Sequence, residues 1–175
     1  MVRADSGINS LSDLKGKSFA FVDPASTSGH LYPKTLLFSK GLDPKTFFGK
    51  SRFAGSHNAV VLSIYKGEVD GGAAYDGSRA AVANIFPDVF EKIKVLAYTK
   101  EIPNDTVSVR KDLPEHLKIR LRKGLKKISH SAKGSKILKR LYGISGLVDL
   151  DGLFDPVREA GRMLDLNLGK PNVKN

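Results

Sequence analysis

Four short apolar runs recur between residues 18 and 98, and each is separated from the next by a segment with helical spacing. The runs do not alternate between apolar and polar residues, so neither face is marked as the solvent side. Continuous runs of this kind are typical of strands that are buried on both faces, as in a parallel sheet. The predicted strands are 18–22, 51–55, 71–75 and 94–98.

Amphipathic segments fill the intervals between these strands. The first two are predicted as helices over 30–40 and 57–66, and each stops at a glycine, Gly41 or Gly67, which suits a helix C-terminus. A third helix begins at Ser78. Repeated strand–helix–strand units with right-handed crossovers predict an α/β fold with an open, mainly parallel sheet.

Beyond residue 105 the pattern becomes entirely helical. Apolar residues recur there at spacings of three and four, which places them on one face of a helix. The apolar faces of this amphipathic tail must pack against something, because large uncovered apolar patches are unusual in monomers. The repeat consists of Leu117, Leu121, Leu125 and Ile128, and further helices are predicted over 135–142 and 156–165.

Composition excludes several classes of protein. In 175 residues, 41% hydrophobic and 27% charged, the balance is that of a folded globular chain. There is no cysteine, and the four histidines lack metal-ligand spacing, so neither a disulfide framework nor a metal or other cofactor is predicted. No apolar run is long enough to span a bilayer, and the first residues show no secretory leader.

The net charge of +11 is concentrated in one part of the chain. Between Arg110 and Arg140 there are twelve Lys or Arg residues against two acids, Asp112 and Glu115. One interpretation is a nucleic-acid-binding module that uses the 110–140 helices. The other, which we favour, is a solvated outer face of helices, because no aromatic residue interleaves the charges for base stacking.

Polar side chains follow each of the four predicted strands. In open α/β sheets, ligands bind beyond the carboxyl ends of the strands, where helix N-termini present unpaired N–H groups. We therefore expect these side chains to meet at one edge. They are Ser26, Thr27 and Ser28 after the first strand, His57 after the second, Asp76 after the third and Asp105 after the fourth.

The donors in this set suit a small tetrahedral oxyanion. Hydroxyls and first-turn N–H groups at 26–29 can donate several hydrogen bonds to one group of oxygens, and the helix dipole favours negative charge there. Four or five charge-assisted hydrogen bonds, after ordering costs, correspond to a roughly micromolar Kd. Taken singly, the hydroxyls also suit helix caps and His57 a structural role, so the prediction depends on convergence.

The carboxylates of Asp76 and Asp105 repel a fully ionised ligand, but each can accept a hydrogen bond from a protonated oxygen or an amine on the ligand. The hypothesis is that Asp76 and Asp105 select ligands that carry P–OH or a nearby ammonium and exclude sulfate. Each aspartate also suits an ordinary turn or cap.

The chain resembles the substrate-binding proteins of phosphonate ABC importers, a group that also takes phosphite and phosphate. The likeness runs from about residue 3 to 165 and is carried by "SGINSLSDLKGKSFAFVDPASTSGHLYPKTLL", "FAGSHNAVVLSIYKGEVDGGAAYD", "IPNDTVSVRKDLP" and "LYGISGLVDLDGLFDPVREA". It implies one lobe of a type II periplasmic-binding-protein clamshell, a periplasmic location, no enzymatic activity and a membrane permease as partner.

The resemblance also assigns residues. It implies that Ser26, Thr27 and Ser28 grip the phosphorus oxygens, that His57 joins them, and that Asp76 and Asp105 supply the acidic contacts. His30 stands where the family pattern leads us to expect Tyr, which bears on ligand choice.

The resemblance leads us to expect that most of the family's first lobe has no counterpart in these residues. The resemblance divides the chain into a hinge strand (1–10), an α/β ligand-binding lobe (11–98), a return hinge (99–110) and a C-terminal helical segment (111–175) that would pack on the missing lobe. We expect the chain alone to bind phosphonates weakly. We expect its partner to be either a second copy of the chain or the missing first lobe, and not a nucleic acid.

A serine hydrolase that uses Ser, His57 and an aspartate is a further alternative. The chain lacks the GxSxG elbow that raises a nucleophilic serine on a strained turn. A hydroxyl triplet that leads into a helix suits holding an anion better than attacking a substrate. A sensor or a relic without a transport role also remains open.

Overall fold

A computed structural model describes residues 1–104, 106–149 and 154–165. These residues form two compact units, one comprising Met1–Ile102 with the last helix and the other Pro103–Phe154. The first unit contains a five-stranded sheet in the order β3-β2-β4-β1-β5. Its strands are β1 (Val2–Arg3), β2 (Ser18–Phe21), β3 (Lys50–Phe53), β4 (Gly71–Gly72) and β5 (Ile93–Lys94).

The sheet is open and mainly parallel, as predicted. β2 pairs in parallel with β3, from Ser18 opposite Lys50 onward, and with β4, where Phe19 lies opposite Gly71. β1 runs antiparallel to both β4 and β5 and lies between them. Consequently β2, β3, β4 and β5 all point the same way, and their carboxyl ends lie at one edge of the sheet.

The helices follow the predicted order. The third helix begins at Ser78, as predicted, and Pro87 lies between α3 and α4. A π-helical turn over Thr27–Leu31 precedes α1, a feature that the hydrophobic pattern does not predict. The α-helices are α1 (Tyr32–Ser39), α2 (His57–Tyr65), α3 (Ser78–Val82), α4 (Val89–Lys92), α5 (Glu115–His130), α6 (Ala132–Tyr142) and α7 (Asp155–Met163).

Burial on both faces holds for β2 but not for β3. Phe19 and Phe21 pack into a cluster with Leu14 and Leu37, whereas Ala20 and Val22 on the opposite face pack against α2 and its neighbours. All four residues of β3 are exposed. The prediction of a buried strand at 51–55 is therefore wrong, because β3 is an edge strand with a neighbour on one side only.

The apolar face of α2 is placed as the spacing predicts. Val60, Val61 and Ile64 have no exposed surface and lie in the cluster that also contains Ala20 and Val22. This packing anchors α2 beneath the sheet and so fixes its first residue, His57, at the edge where β3 ends.

The last helix packs within the first unit. Ala160 of α7 is buried with Leu31 and Tyr32, at the junction of the π-helical turn and α1. This contact places α7 against the helix that begins in the hydroxyl triplet.

The second unit carries α5 and α6. Within α5 no residue is buried, and Leu121 and Ile128 are each 48% exposed. Asp149 accepts hydrogen bonds from Arg122 Nε (2.8 Å) and Lys126 Nζ (2.7 Å), and these bonds lower the pKa of Asp149 to about 2. The apolar repeat that the sequence predicts thus leaves much of its surface uncovered.

Among the described residues no helix is both long and apolar enough to cross a membrane.

Candidate oxyanion site

Three loops meet where β2, β3 and β4 end. The Gly55 N–H donates to the Val22 carbonyl (2.8 Å), which joins the ends of β3 and β2. The Ala73 N–H donates to the Ala20 carbonyl (3.0 Å), which joins β4 to β2. The loops that carry Ser26–Ser28, His57 and Asp76 therefore leave the sheet at the same edge.

The hydroxyl triplet opens a helix, and its three members play different parts. Ser26 is the N-cap: its backbone is extended and its Oγ accepts the Gly29 N–H at 3.0 Å. Thr27 and Ser28 lie in the first turn and are half-buried. Their hydroxyls make no hydrogen bond to any described residue. One hydroxyl thus serves the cap and two remain for a ligand.

Gly29 allows the triplet to lie close to the sheet. Its carbonyl accepts the Val22 N–H at 3.2 Å. A Cβ at this position would lie 2.2 Å from Val22 Cγ2 and 2.6 Å from Val22 Cβ, distances that real atoms do not tolerate. Only glycine lets this turn approach the end of β2 so closely.

His57 is the first residue of α2, after an N-cap in which Ser56 Oγ accepts the Ala59 N–H at 3.1 Å. The backbone N–H of Tyr75 donates to His57 Nδ1 at 3.1 Å. Nδ1 must therefore be the unprotonated nitrogen, and Nε2 carries the proton. Burial lowers the pKa of His57, and the nearby Asp23 carboxylate partly opposes this, so the ring is a neutral Nε2–H donor at pH 7.

Sequence reasoning missed Tyr75 and Asp23. The predicted strand 71–75 treats Tyr75 as buried, but β4 ends at Gly72 and Tyr75 is 42% exposed. Its ring lies edge-on to His57, with centroids 4.8 Å apart. Asp23 follows the end of β2 and acts electrostatically on His57, and its Oδ1 accepts the Ala25 N–H at 2.8 Å.

The two predicted aspartates have different outcomes. Asp76 directly follows Tyr75 and is exposed, so it lies one residue from the group that fixes His57. Asp105 lies outside the described residues.

The tautomer of His57 argues against the hydrolase alternative. A serine nucleophile needs an imidazole nitrogen with a free lone pair to take its proton. In His57 the Nδ1 lone pair is occupied by the Tyr75 N–H, and Nε2 is protonated. In this arrangement Nε2–H can donate a hydrogen bond to an oxygen, but the ring has no free nitrogen to accept a proton from a serine.

Comparison with known proteins identifies the family. The family described as the periplasmic substrate-binding protein of phosphonate ABC transporters matches residues 1–152. The chain belongs to this family. Its fold is accordingly the α/β fold of type II periplasmic binding proteins.

Two curated relatives and one solved structure illustrate the relationship. The phosphonates-binding periplasmic protein of Escherichia coli is 26% identical over 176 residues, which is 98% of this chain and 52% of that protein. The phosphate-import protein PhnD of Mycolicibacterium smegmatis is 40% identical over 83 residues, which is 43% of this chain and 26% of that protein. A binding protein component of an ABC phosphonate transporter from Pseudomonas aeruginosa is 28% identical, with a TM-score of 0.74 over 91% of this chain and 54% of that one.

The chain spans about half the length, or less, of the curated relatives it matches. These relatives are thus substantially longer proteins, and the residues described here correspond to a part of them.

Proposed function

We propose that this chain binds a small phosphorus oxyanion, namely phosphonate, phosphite or phosphate, as the ligand-binding lobe of an ABC importer. In this proposal it acts in the periplasm, passes its ligand to a membrane permease, catalyses no reaction and needs neither a cofactor nor a nucleic acid. Family membership supports the class of protein. The site residues support the class of ligand.

The observation that carries the proposal is the set of free donors at the sheet edge. The hydroxyls of Thr27 and Ser28 are available, because Ser26 alone satisfies the cap. The Nε2–H of His57 is available, because the Tyr75 N–H has fixed the tautomer. Hydrogen bonds to a charged group are worth roughly 1.5–3 kcal/mol each before ordering costs, so three such donors, together with first-turn N–H groups, favour weak binding of an anion.

Helix geometry adds to these donors. The π-helical turn runs directly into α1, so a helical segment starts at Thr27 and continues to Ser39. α2 starts at His57. Both helices begin at the edge where the strands end, and the positive ends of their dipoles favour an anion there by about 0.3–1 kcal/mol each.

Asp76 supplies selectivity in this proposal, with Asp105 as a second acid. A carboxylate at the edge accepts a hydrogen bond from a protonated phosphorus oxygen, which sulfate lacks at neutral pH. Phosphorus ligands are therefore preferred over sulfate.

Titration calorimetry of the 175-residue chain with methylphosphonate, phosphite, phosphate and sulfate tests the proposal. We expect a Kd on the order of micromolar or weaker for the phosphorus ligands, because donors on one wall compete with hydration, and weaker binding of sulfate. The double variant Thr27→Val/Ser28→Ala should lose binding, whereas Ser39→Ala at the far end of α1 should not. Absence of binding to every phosphorus ligand would refute the proposal, and a sub-micromolar Kd would refute the expectation of weak binding.

Selectivity is tested separately with Asp76→Asn, which removes the carboxylate but keeps its size. The variant should reduce the preference for phosphate over sulfate. Glu91→Gln, which removes an exposed acid from α4, is the charge-matched control. Equal affinity of the unmodified chain for sulfate and phosphate would contradict the role of Asp76.

A further inference from the structure

His30 is buried and lies two residues after the hydroxyl triplet. Its side chain is 6% exposed, and its ring lies edge-on to Phe21 and Phe53, with centroids 5.1 Å away in each case. Nδ1 lies 3.0 Å from the carbonyl oxygen of Pro24. A carbonyl only accepts, so Nδ1 carries the proton and donates it to Pro24.

This hydrogen bond joins the two ends of the loop that carries the triplet. Backbone bonds also hold this loop: the Gly29 carbonyl accepts the Val22 N–H (3.2 Å), and the Ser26 carbonyl accepts the N–H groups of His30 (3.1 Å) and Leu31 (3.0 Å). The His30 side chain reaches back six residues to Pro24, before the cap. Together with the bond between the Val22 N–H and the Gly29 carbonyl, this side chain fixes where the chain enters the turn relative to the sheet.

The second ring nitrogen of His30 is left without a partner. Nε2 is buried and makes no hydrogen bond to any described residue. Burial lowers the pKa of His30, and the Lys34 ammonium lowers it further, so the ring stays neutral and Nε2 keeps an unpaired lone pair. An unsatisfied buried acceptor carries a desolvation cost that a phenyl ring at the same place would not have. An imidazole at this position is therefore less stabilising than a phenyl ring unless its Nδ1–H contributes a favourable interaction. The hydrogen bond to the Pro24 carbonyl is that interaction.

We propose that His30 is a positioning residue for the oxyanion site, whose Nδ1–H holds the Pro24 carbonyl and so sets the turn from which the Thr27 and Ser28 hydroxyls reach the ligand. His30 does not touch the ligand in this role; it acts through the backbone of residues 24–29. The inference rests on the proposed function, because it concerns how well the same donors are placed.

Three substitutions separate the hydrogen bond from the packing. His30→Asn places an amide N–H where Nδ1 now lies. His30→Gln carries the same amide one carbon further out, near the Nε2 position, where it does not reach Pro24. His30→Phe keeps a ring against Phe21 and Phe53 but removes the donor.

Two measurements on the full chain read the outcome: calorimetric affinity for methylphosphonate, and amide hydrogen exchange at Gly29 with Ala59 of α2 as the internal reference. We expect His30→Phe and His30→Gln to weaken methylphosphonate binding roughly tenfold and to speed exchange at Gly29 by a similar factor. His30→Asn should stay within about threefold of the unmodified chain in both measurements, and Ala59 should not change in any variant.

Each outcome has one meaning. If His30→Phe retains normal affinity and normal exchange at Gly29, or if Asn and Gln behave alike, the positioning role is overturned while the proposed function stands. If His30→Phe does not fold, the comparison of Asn with Gln decides. If the unmodified chain binds no phosphorus oxyanion but exchange at Gly29 responds as expected, the proposed function fails while the control of this turn by His30 stands.

Discussion

The backbone N–H of Tyr75 donates to Nδ1 of His57 across 3.1 Å, between residues that are 18 positions apart in the chain. This one bond decides which imidazole nitrogen bears the proton. It leaves Nε2–H as the donor that faces away from Tyr75, and it requires the turn after β4 to lie beside the start of α2. The chemistry of the site at this position follows from a backbone group, not from another side chain.

Substitutions at His57 should therefore distinguish the contributions of Nδ1 and Nε2 to ligand binding. His57→Gln keeps a donor near the Nε2 position and should retain methylphosphonate binding within about fivefold. His57→Asn can still accept from Tyr75 but has no donor at Nε2, so it should weaken binding by roughly 10- to 100-fold, as should His57→Ala. Calorimetry measures all three. Equal affinities for the Gln and Asn variants would contradict the assigned tautomer.

The hydroxyl triplet should divide into one structural and two binding groups. Ser26→Ala removes the cap on Gly29 and should cost about 1 kcal/mol of unfolding free energy. Thr27→Val and Ser28→Ala should each change stability by less than about 0.5 kcal/mol, since their hydroxyls bond to no described residue, and should weaken ligand binding instead. Urea denaturation and calorimetry on the same preparations provide the two readouts. A stability loss at Ser28 as large as that at Ser26 would contradict the division.

Two glycines inside helical segments should respond in opposite directions to alanine. Gly29→Ala drives a methyl group into Val22 and should destabilise the fold by about 1–3 kcal/mol. Gly124→Ala in α5 meets no atom within 4 Å and should stabilise by about 0.5–1 kcal/mol through helix propensity. Thermal denaturation followed by circular dichroism gives both signs. The second variant serves as the control for the substitution itself.

Stability should fall as the pH drops below about 6.5. Burial lowers the pKa of both His30 and His57 from 6.5 in the folded chain. Below that pH the unfolded chain therefore binds more protons than the folded chain, and the free energy of unfolding decreases as the pH falls. Their contribution is complete above pH 6.5 and is lost as the pH falls toward the depressed folded-state values. Unfolding free energies measured between pH 7.5 and 5 test this.

The double variant His30→Asn/His57→Gln isolates the imidazole contribution. The amino group of Met1, whose pKa is lowered to about 5 by burial and by Arg79, gives a slope of the same sign in both proteins. The variant should therefore show a shallower decline than the unmodified chain. Identical slopes would mean that neither histidine titrates abnormally.

Self-association is expected through α5, because Leu121 and Ile128 lie seven positions apart on one side of the helix and each is 48% exposed. Leu121→Gln/Ile128→Gln should reduce the apparent mass in light scattering at high protein concentration. Ile85→Gln is the matched control, since Ile85 is 76% exposed in the first unit. A concentration-independent monomer before substitution would contradict the expectation.

Local patterns predicted several elements of the fold correctly. Helix α2 begins at His57 and ends at Tyr65 because Ser56 caps one end and Gly67, with a φ of +73°, lets the chain leave at the other. Both signals lie within a few residues of the helix. The same holds for Ser26 and the start of the π-helical turn, although the π geometry itself was not predicted.

Features that depend on sheet position were not predictable in the same way. β3 (Lys50–Phe53) contains Lys50, Ser51 and Arg52, and its four residues are exposed because it lies at the sheet edge. Strand β1 falls within the hinge strand (1–10) that the resemblance implies, but nothing in its two residues predicts its position between β4 and β5. Strand order is decided by packing between distant segments, and the sequence of a single strand does not indicate which strands pair with it.

The sequence by itself determined the family, the succession of strands and helices, and the hydroxyls and histidine at the strand ends, because each depends on residues adjacent in the chain. Tertiary structure alone decided that the Tyr75 N–H sets the proton on His57 and that the His30 ring is buried against Phe21 and Phe53. These roles depend on where a contacting group lies in space, and that position exists only once β2, β3 and β4 have come together.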